Sequence, residues 1–128
     1  MKSSRTARRN TGVYDRRKAE RAGRRAEWIC ALWLRVCGYR ILATRFRCPV
    51  GEIDIIARKG DLIAAVEVKN RSNIDDALNA LRPRQQQRIA QALSTFATRI
   101  GHHGDLRFDI IAISNGWRLK HLKNAWML

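Results

Sequence analysis

Glu52, Asp54, Glu67 and Lys69 are four charged side chains set into two otherwise apolar runs between Gly51 and Ser72. Ile53, Ile55 and Ala57, then Leu62, Ala64, Val66 and Val68, recur at period two, the pattern of strands with one face in a core. Lys59-Gly60 separates the runs, and glycine there allows a tight reversal, so the stretch reads as an antiparallel hairpin. With a two-residue loop, Arg58 pairs with Asp61, Glu52 lies opposite Glu67 and Asp54 lies opposite Ala65. Asp54 and Glu67 are then diagonal neighbours on one face, roughly 7 Å apart at their β-carbons. Lys69 stands on that same face, about 6.6 Å along the strand from Glu67.

Carboxylates gathered in this way repel one another, and a sheet selected only for stability would not keep them. A hard divalent cation, Mg²⁺ or Mn²⁺, relieves the repulsion, since such ions are held by one or two carboxylates plus waters and phosphate oxygens. The ion can activate water, and a neighbouring lysine can steady hydroxide or phosphate charge. The same residues also read as a solvated sheet face on which Glu67 and Lys69 make an exposed ion pair.

The surrounding chain leans towards polyanions. Its 128 residues suit one domain, and 26 Lys and Arg against 11 Asp and Glu give a formal charge of +15. That balance is too lopsided for an ordinary metabolic enzyme and typical of a nucleic-acid binder. Cys30, Cys37 and Cys48 lack the C-x-x-C spacing of zinc or redox sites and read as reduced, packed thiols. His102, His103 and His121 fit a polar loop and a strand edge better than a metal site. No apolar run has the length of a membrane span, so a cytoplasmic protein without a membrane partner is expected.

The elements that must position these residues can be read in order. Residues 1–14 are expected to form a basic, disordered arm, followed by a single domain over residues 15–128. A helix is expected from about Arg17, burying Ala22, Ala26, Ile29, Trp33, Val36 and Cys37 and ending at Gly38. On that helix Glu27 falls at the border of the apolar arc, where its carboxylate could look towards the acids of the hairpin. Tyr39–Phe46 forms the first strand, and the Arg47–Val50 break precedes the hairpin. A short helical turn over Asn73–Leu81 leads to a longer helix opened by Pro83, with Ile89, Leu93, Phe96 and Ile100 buried and Gly101 closing it. Its other side carries Arg82, Arg84, Gln85 and Arg88, donors suited to a nucleic-acid backbone. Leu106–Ser114 is apolar on both faces and reads as an inner strand. Asn115-Gly116 turns it into a last strand, Trp117–Lys123, and Trp126, Met127 and Leu128 close the core's edge. The fold class is α/β (α+β), a mixed central sheet of about five strands flanked by helices.

With Asp54, Glu67-Val68-Lys69 and an upstream helical Glu27, this order resembles the PD-(D/E)XK nuclease superfamily. More closely, the chain is similar to the bacterial YraN-like family, through Gly38-Tyr39, Gly51–Ala57, Val66–Lys69, Arg71, Arg107-Phe-Asp109 and Asn124-Ala125. The similarity spans about Gly23 to Trp126. Ile53 stands where the superfamily's name has proline. The resemblance implies a restriction-endonuclease-like fold, Mg²⁺ or Mn²⁺ bound by Asp54 and Glu67, Lys69 positioning the attacking water and Glu27 assisting at the metal. It further implies hydrolysis of a phosphodiester, with DNA, branched or damaged, favoured over RNA, and a homodimer as one assembly. Arg24, Arg25, Arg71, Arg82, Arg84, Gln85 and Arg88 are the expected nucleic-acid contacts.

Three classes of function compete on these grounds. They are a metal-dependent endonuclease, a non-catalytic nucleic-acid-binding module on the same fold, and an interaction protein whose basic arm docks on an acidic partner or ribosomal RNA.

Overall fold

The computed structural model describes residues 21 and 23–127. The expected arm, residues 1–14, and the expected helix start at Arg17 lie outside the described residues.

Helix α1 runs through residues 23–36 and ends at a left-handed glycine, Gly38, with φ +92°. The Tyr39 N–H donates to Leu34 O at 2.9 Å and the Gly38 N–H to Arg35 O at 3.0 Å, so the last carbonyls are satisfied as the glycine predicts. Strands β1 (Arg40–Cys48), β2 (Gly51–Lys59) and β3 (Leu62–Asn70) follow, then α2 (Ile74–Asn79), α3 (Pro83–Arg99), β4 (Asp105–Ser114) and β5 (Arg118–Leu122). The five strands lie in chain order in one sheet, antiparallel throughout except that β3 and β4 run parallel. A parallel pair needs a crossover, which α2 and α3 supply. Helix α2 is capped by the Asn73 side chain, and Pro83 starts α3 at a position where its missing N–H costs nothing.

Two hydrophobic clusters sandwich the sheet. Cys30, Ala31 and Leu34 of α1 pack on Ile55, Ala57, Ala64, Val66 and Ile111. On the other face, Ala77, Ile89, Ala92 and Leu93 of α2 and α3 pack on Ile53, Ile56, Ile63, Ala65 and Ile110. The hairpin was expected to have one buried face, but Ile55 and Ile56, which point opposite ways, are both fully buried because helices cover both sides. The result is a five-stranded mixed sheet flanked by helices, the restriction-endonuclease-like arrangement.

Several local expectations are corrected. Helix α1 buries Ala26, Cys30, Ala31 and Leu34, whereas Trp33 and Val36 are exposed. The helix carries apolar side chains on its outer side as well, among arginines, and its small side chains let it sit closest to the sheet, so the bulkier stripe is left outside. On α3, Ile89 and Leu93 are buried as expected and are joined by Ala92 and Ala97, while Phe96 is half-buried and Ile100, at the helix end, is exposed. The β4–β5 connection holds three residues, because Ser114 pairs with Arg118, and it leaves Trp117 exposed in the loop. Asn115 and Gly116 do take the positive φ expected of them, 54° and 77°. Trp126 is buried and stacks on Phe108, while Met127 is exposed.

Candidate functional site

The hairpin loop is Gly60-Asp61, one residue later than expected, with Gly60 at φ +59° and Lys59 paired with Leu62. Ala65 therefore faces Ile56 rather than Asp54, and the ladder stops at Ile55↔Val66. One step further on, the same register sets Asp54 across from Glu67. The pairing of Glu52 with Glu67 is not formed; Glu52 pairs with Arg47 of β1, and their side chains make an exposed ion pair at 3.7 Å. The shift moved every opposed pair by two residues, an even number, so Asp54 and Glu67 approach across the hairpin directly rather than diagonally.

Beyond Ile55 and Val66 the two strands part. The start of β2 stays paired with β1 through Phe46↔Ile53 and Arg47↔Glu52, while the end of β3 stays paired with β4 through Val68↔Ile111 and Lys69↔Ala112. Ile53 packs in the cluster under α3, although Ile55 and Ala57 pack under α1, so the period-two alternation is broken at Asp54. The divergence frees the Val68 N–H from strand pairing, and Asp54 Oδ2 accepts it at 2.8 Å. Gly51 anchors the diverging end: a Cβ there would lie 2.5 Å from the Arg88 carbonyl oxygen of α3. Only glycine permits so close an approach.

The fork opens into a cavity of about 190 Å³ lined by Gly23, Ala26, Glu27, Asp54, Glu67, Val68 and Asn70. The three expected acids thus share one space. Lys69 Nζ stands 3.5 Å from Glu67 Oε1, and Gln85 Nε2 donates to that same oxygen at 3.4 Å. Glu27 is engaged by Arg45, whose Nε reaches Glu27 Oε2 at 2.7 Å. A second opening of about 270 Å³, lined by Arg24, Arg45, Arg47, Glu27, Glu52 and Asp54, adjoins the first. A third, of about 410 Å³, holds Arg82, Arg84, Gln85 and Arg88 beside Gly51 and Glu52. Arg71 is exposed just past β3, its Nη1 donating to Asn70 O at 2.8 Å, and Arg25 is exposed on α1 outside these cavities.

The electrostatics of the acid pair are poorly compensated. Burial pushes the Glu67 carboxyl up to about 8, the charge of Asp54 adds to that, and Lys69 pulls the other way. Asp54 is likewise raised by burial and by Glu27, against the Val68 hydrogen bond and the Lys69 charge. Two facing carboxyls of this kind titrate as a unit and favour holding one proton between them. A hard cation would satisfy both acids in that proton's stead, and two carboxylates are a sufficient protein share for Mg²⁺. The donor set therefore fits such an ion, although among the described residues no group of three His, Cys, Asp or Glu forms a complete cage.

A second polar centre on the same sheet escaped sequence reasoning. Asp109 of β4 is fully buried and accepts from Arg107 Nε and Nη2, both at 2.7 Å, and from the Asn124 N–H at 3.0 Å. His121 Nε2 lies 2.9 Å from Asp109 Oδ2, and Arg107 Nη2 reaches Tyr39 OH at 2.6 Å. Burial alone would raise Asp109, but the bonds from His121, Arg107 and Asn124 outweigh it and hold the carboxyl below its ordinary value. His121 is thus a half-buried partner of Asp109 rather than a free strand-edge residue. The available signal was Arg107-Phe-Asp109, two opposite charges two residues apart and hence on one strand face.

Residues 26–113 match the family described as "Uncharacterised protein family UPF0102". A UPF0102 protein of Caulobacter vibrioides is 46% identical over 110 residues, covering 84% of this chain and 88% of the relative. One from Rhodopseudomonas palustris is 48% identical over 114 residues, covering 88% of each, and one from Sinorhizobium medicae is 48% identical over 112 residues, covering 85% and 91%. Glu27, Asp54, Glu67 and Lys69, with the strands β1, β2 and β3 that form the fork, fall inside the matched span, and the chain belongs to the UPF0102 (YraN) family.

Proposed function

We propose that this protein is a metal-dependent endonuclease acting on nucleic acid, DNA before RNA, with its reaction centre at the Asp54–Glu67 pair. One observation carries the reading: a buried carboxyl, Glu67, and a half-buried one, Asp54, face each other where β2 and β3 part, both raised above their ordinary range, with an ammonium group 3.5 Å from Glu67. Such a pair costs stability, and replacing it by apolar residues would be neutral or favourable, so its presence calls for a use.

Asp54 and Glu67 would hold Mg²⁺ or Mn²⁺, which when bound supplies Lewis acidity and a more acidic water. The Val68 N–H orients Asp54 by donating to its Oδ2 at 2.8 Å. Lys69, partly buried beside Glu67, is positioned to hold the attacking water or to neutralise charge building on the phosphate. Glu27 adds negative charge from α1 and is itself steadied by Arg45. Arg24 on one side, and Arg82, Arg84, Gln85 and Arg88 on the other, line the openings through which a phosphate backbone would pass. Arg25 and Arg71 extend this basic surface, and the net charge of +15 supports a polyanionic substrate.

The test is cleavage of end-labelled duplex, single-stranded and branched DNA, and of RNA, with Mg²⁺ or Mn²⁺. The parent is expected to cut at least one substrate, Asp54→Asn and Glu67→Gln to cut none, and Lys69→Ala to lose at least about 10²-fold in rate. A parent that binds these substrates with steep salt dependence but cuts none is a binding module, and the catalytic reading fails.

A further inference from the structure

Helix α1 faces the sheet with Ala26, Cys30 and Leu34, and turns outwards a second stripe that stays exposed. Trp28, Leu32 and Val36 recur every fourth residue on that outer side and are 67%, 46% and 76% exposed. At 100° per residue Arg21, Arg25 and Arg35 fall on the same arc, and all three are exposed. None of them is ion-paired with a described acid, and the only acid among residues 21 and 23–36 is Glu27, which faces the cavity at the fork. A large indole among uncompensated guanidiniums suits a partner that offers both aromatic faces and negative charge. A second copy of this chain would bring arginines against arginines. An acidic protein would pair with the arginines but leave the indole without a matching flat surface.

We infer that the outer face of α1 is a stacking platform for unpaired bases, with Trp28 as the stacking ring, Leu32 and Val36 as its apolar floor, and Arg21, Arg25 and Arg35 as phosphate contacts. Stacking on aromatic side chains beside a cationic track is how unpaired strands are held without sequence preference. The inference deepens the proposed function by naming its substrate class: nucleic acid with a single-stranded segment that reaches α1 while its phosphodiester lies at the fork. Arg24, one residue round the helix from Arg25, lines the opening next to Asp54 and joins the two surfaces.

The test is fluorescence anisotropy without divalent metal, using labelled oligothymidine and a labelled duplex, each of about 20 nucleotides or pairs. Trp28→Ala is expected to weaken oligothymidine binding by about 10-fold and to leave the duplex unchanged, while Trp28→Phe stays within about 2-fold of the parent. Arg25→Gln with Arg35→Gln should lower the slope of log affinity against log salt by about 1.4 for the single strand. If the parent binds oligothymidine and Trp28→Ala binds it equally well, the platform is wrong while the fork can still cleave. A parent that binds neither probe overturns both readings. Loss of a sedimenting dimer, or of adsorption to phosphatidylserine vesicles, in Trp28→Ala with oligothymidine binding intact assigns the face to a second copy or a lipid surface, and the inference falls.

Discussion

Glu67 and Asp109 are buried acids on neighbouring parallel strands, yet their surroundings drive them in opposite directions. Asp109 is held by two bonds from Arg107, one from the Asn124 N–H and one with His121, and stays ionised below the ordinary aspartate range. Glu67 meets a second carboxyl, a lysine at 3.5 Å and one amide at 3.4 Å, and is pushed up to about 8. The difference lies in the count of donors, since both sites are buried. A carboxylate with every lone pair satisfied ties elements together; one left short of donors is a place for a cation or a proton. Asp109 ties β4 to β5 and, through Arg107 and Tyr39, to the end of α1, and its work is structural. The Asp54–Glu67 pair is the one left short of donors.

The largest expected effect separates the two centres by stability. Asp109→Ala should cost about 3 kcal/mol, because it leaves a half-buried guanidinium and imidazole without their buried acceptor, and should lower the thermal midpoint by about 10 °C. Asp54→Asn keeps an oxygen for the Val68 N–H, removes the repulsion with Glu67, and should be neutral or stabilising by up to about 1 kcal/mol without metal. Urea denaturation of the two variants checks both; equal losses would erase the contrast.

Added metal should act on one centre alone. Mg²⁺ at about 100 times its dissociation constant should raise stability by about 2.7 kcal/mol at pH 8, and by much less at pH 5, where protons compete for the same oxygens. The gain should vanish in Glu67→Gln and persist in His121→Ala, as followed by thermal melts.

The pH dependence should run in opposite senses. The folded Glu67 carboxyl is raised, so its contribution is fully present below about 4.5 and is lost as pH climbs towards about 8. The folded Asp109 carboxyl is lowered, so its contribution is present above 3.8 and is lost as pH falls below that value. Metal-free melts of Glu67→Gln should therefore lose part of the decline between pH 5 and 8, the share of the raised Asp54 remaining, and keep the acid-side loss.

Neighbour deletions give the smallest contrast. His121→Ala should cost about 1–2 kcal/mol, and Gln85→Ala, whose 3.4 Å bond is long, less than about 0.5 kcal/mol. Denaturant midpoints for the pair would settle the order.

Much of this was legible in the residues themselves. Pro83, Gly38, Gly101 and Asn115-Gly116 each carry a backbone preference strong enough to place an element boundary, and the acids of the hairpin announced themselves by sitting in an apolar strand. What was not legible depended on choices between near-equal options. The loop could begin at Lys59 or Gly60, since glycine serves either register, and the local residues do not choose between them. Helix α1 offers two apolar stripes, and which one meets the sheet depends on how closely small side chains let it approach. His121 and Asn124 reach Asp109 from residues distant in the chain, so no local pattern marks them as its partners.

Because the beginning of β2 is carried by β1 and the end of β3 by β4, the two acids ride on separate halves of one sheet. The gap between them works as a caliper. Any small swing of one half against the other is read first as a change in carboxyl spacing, and whatever grips both acids locks the halves at a single opening. Tightness of that grip and rigidity of the sheet are, in this molecule, one mechanical property.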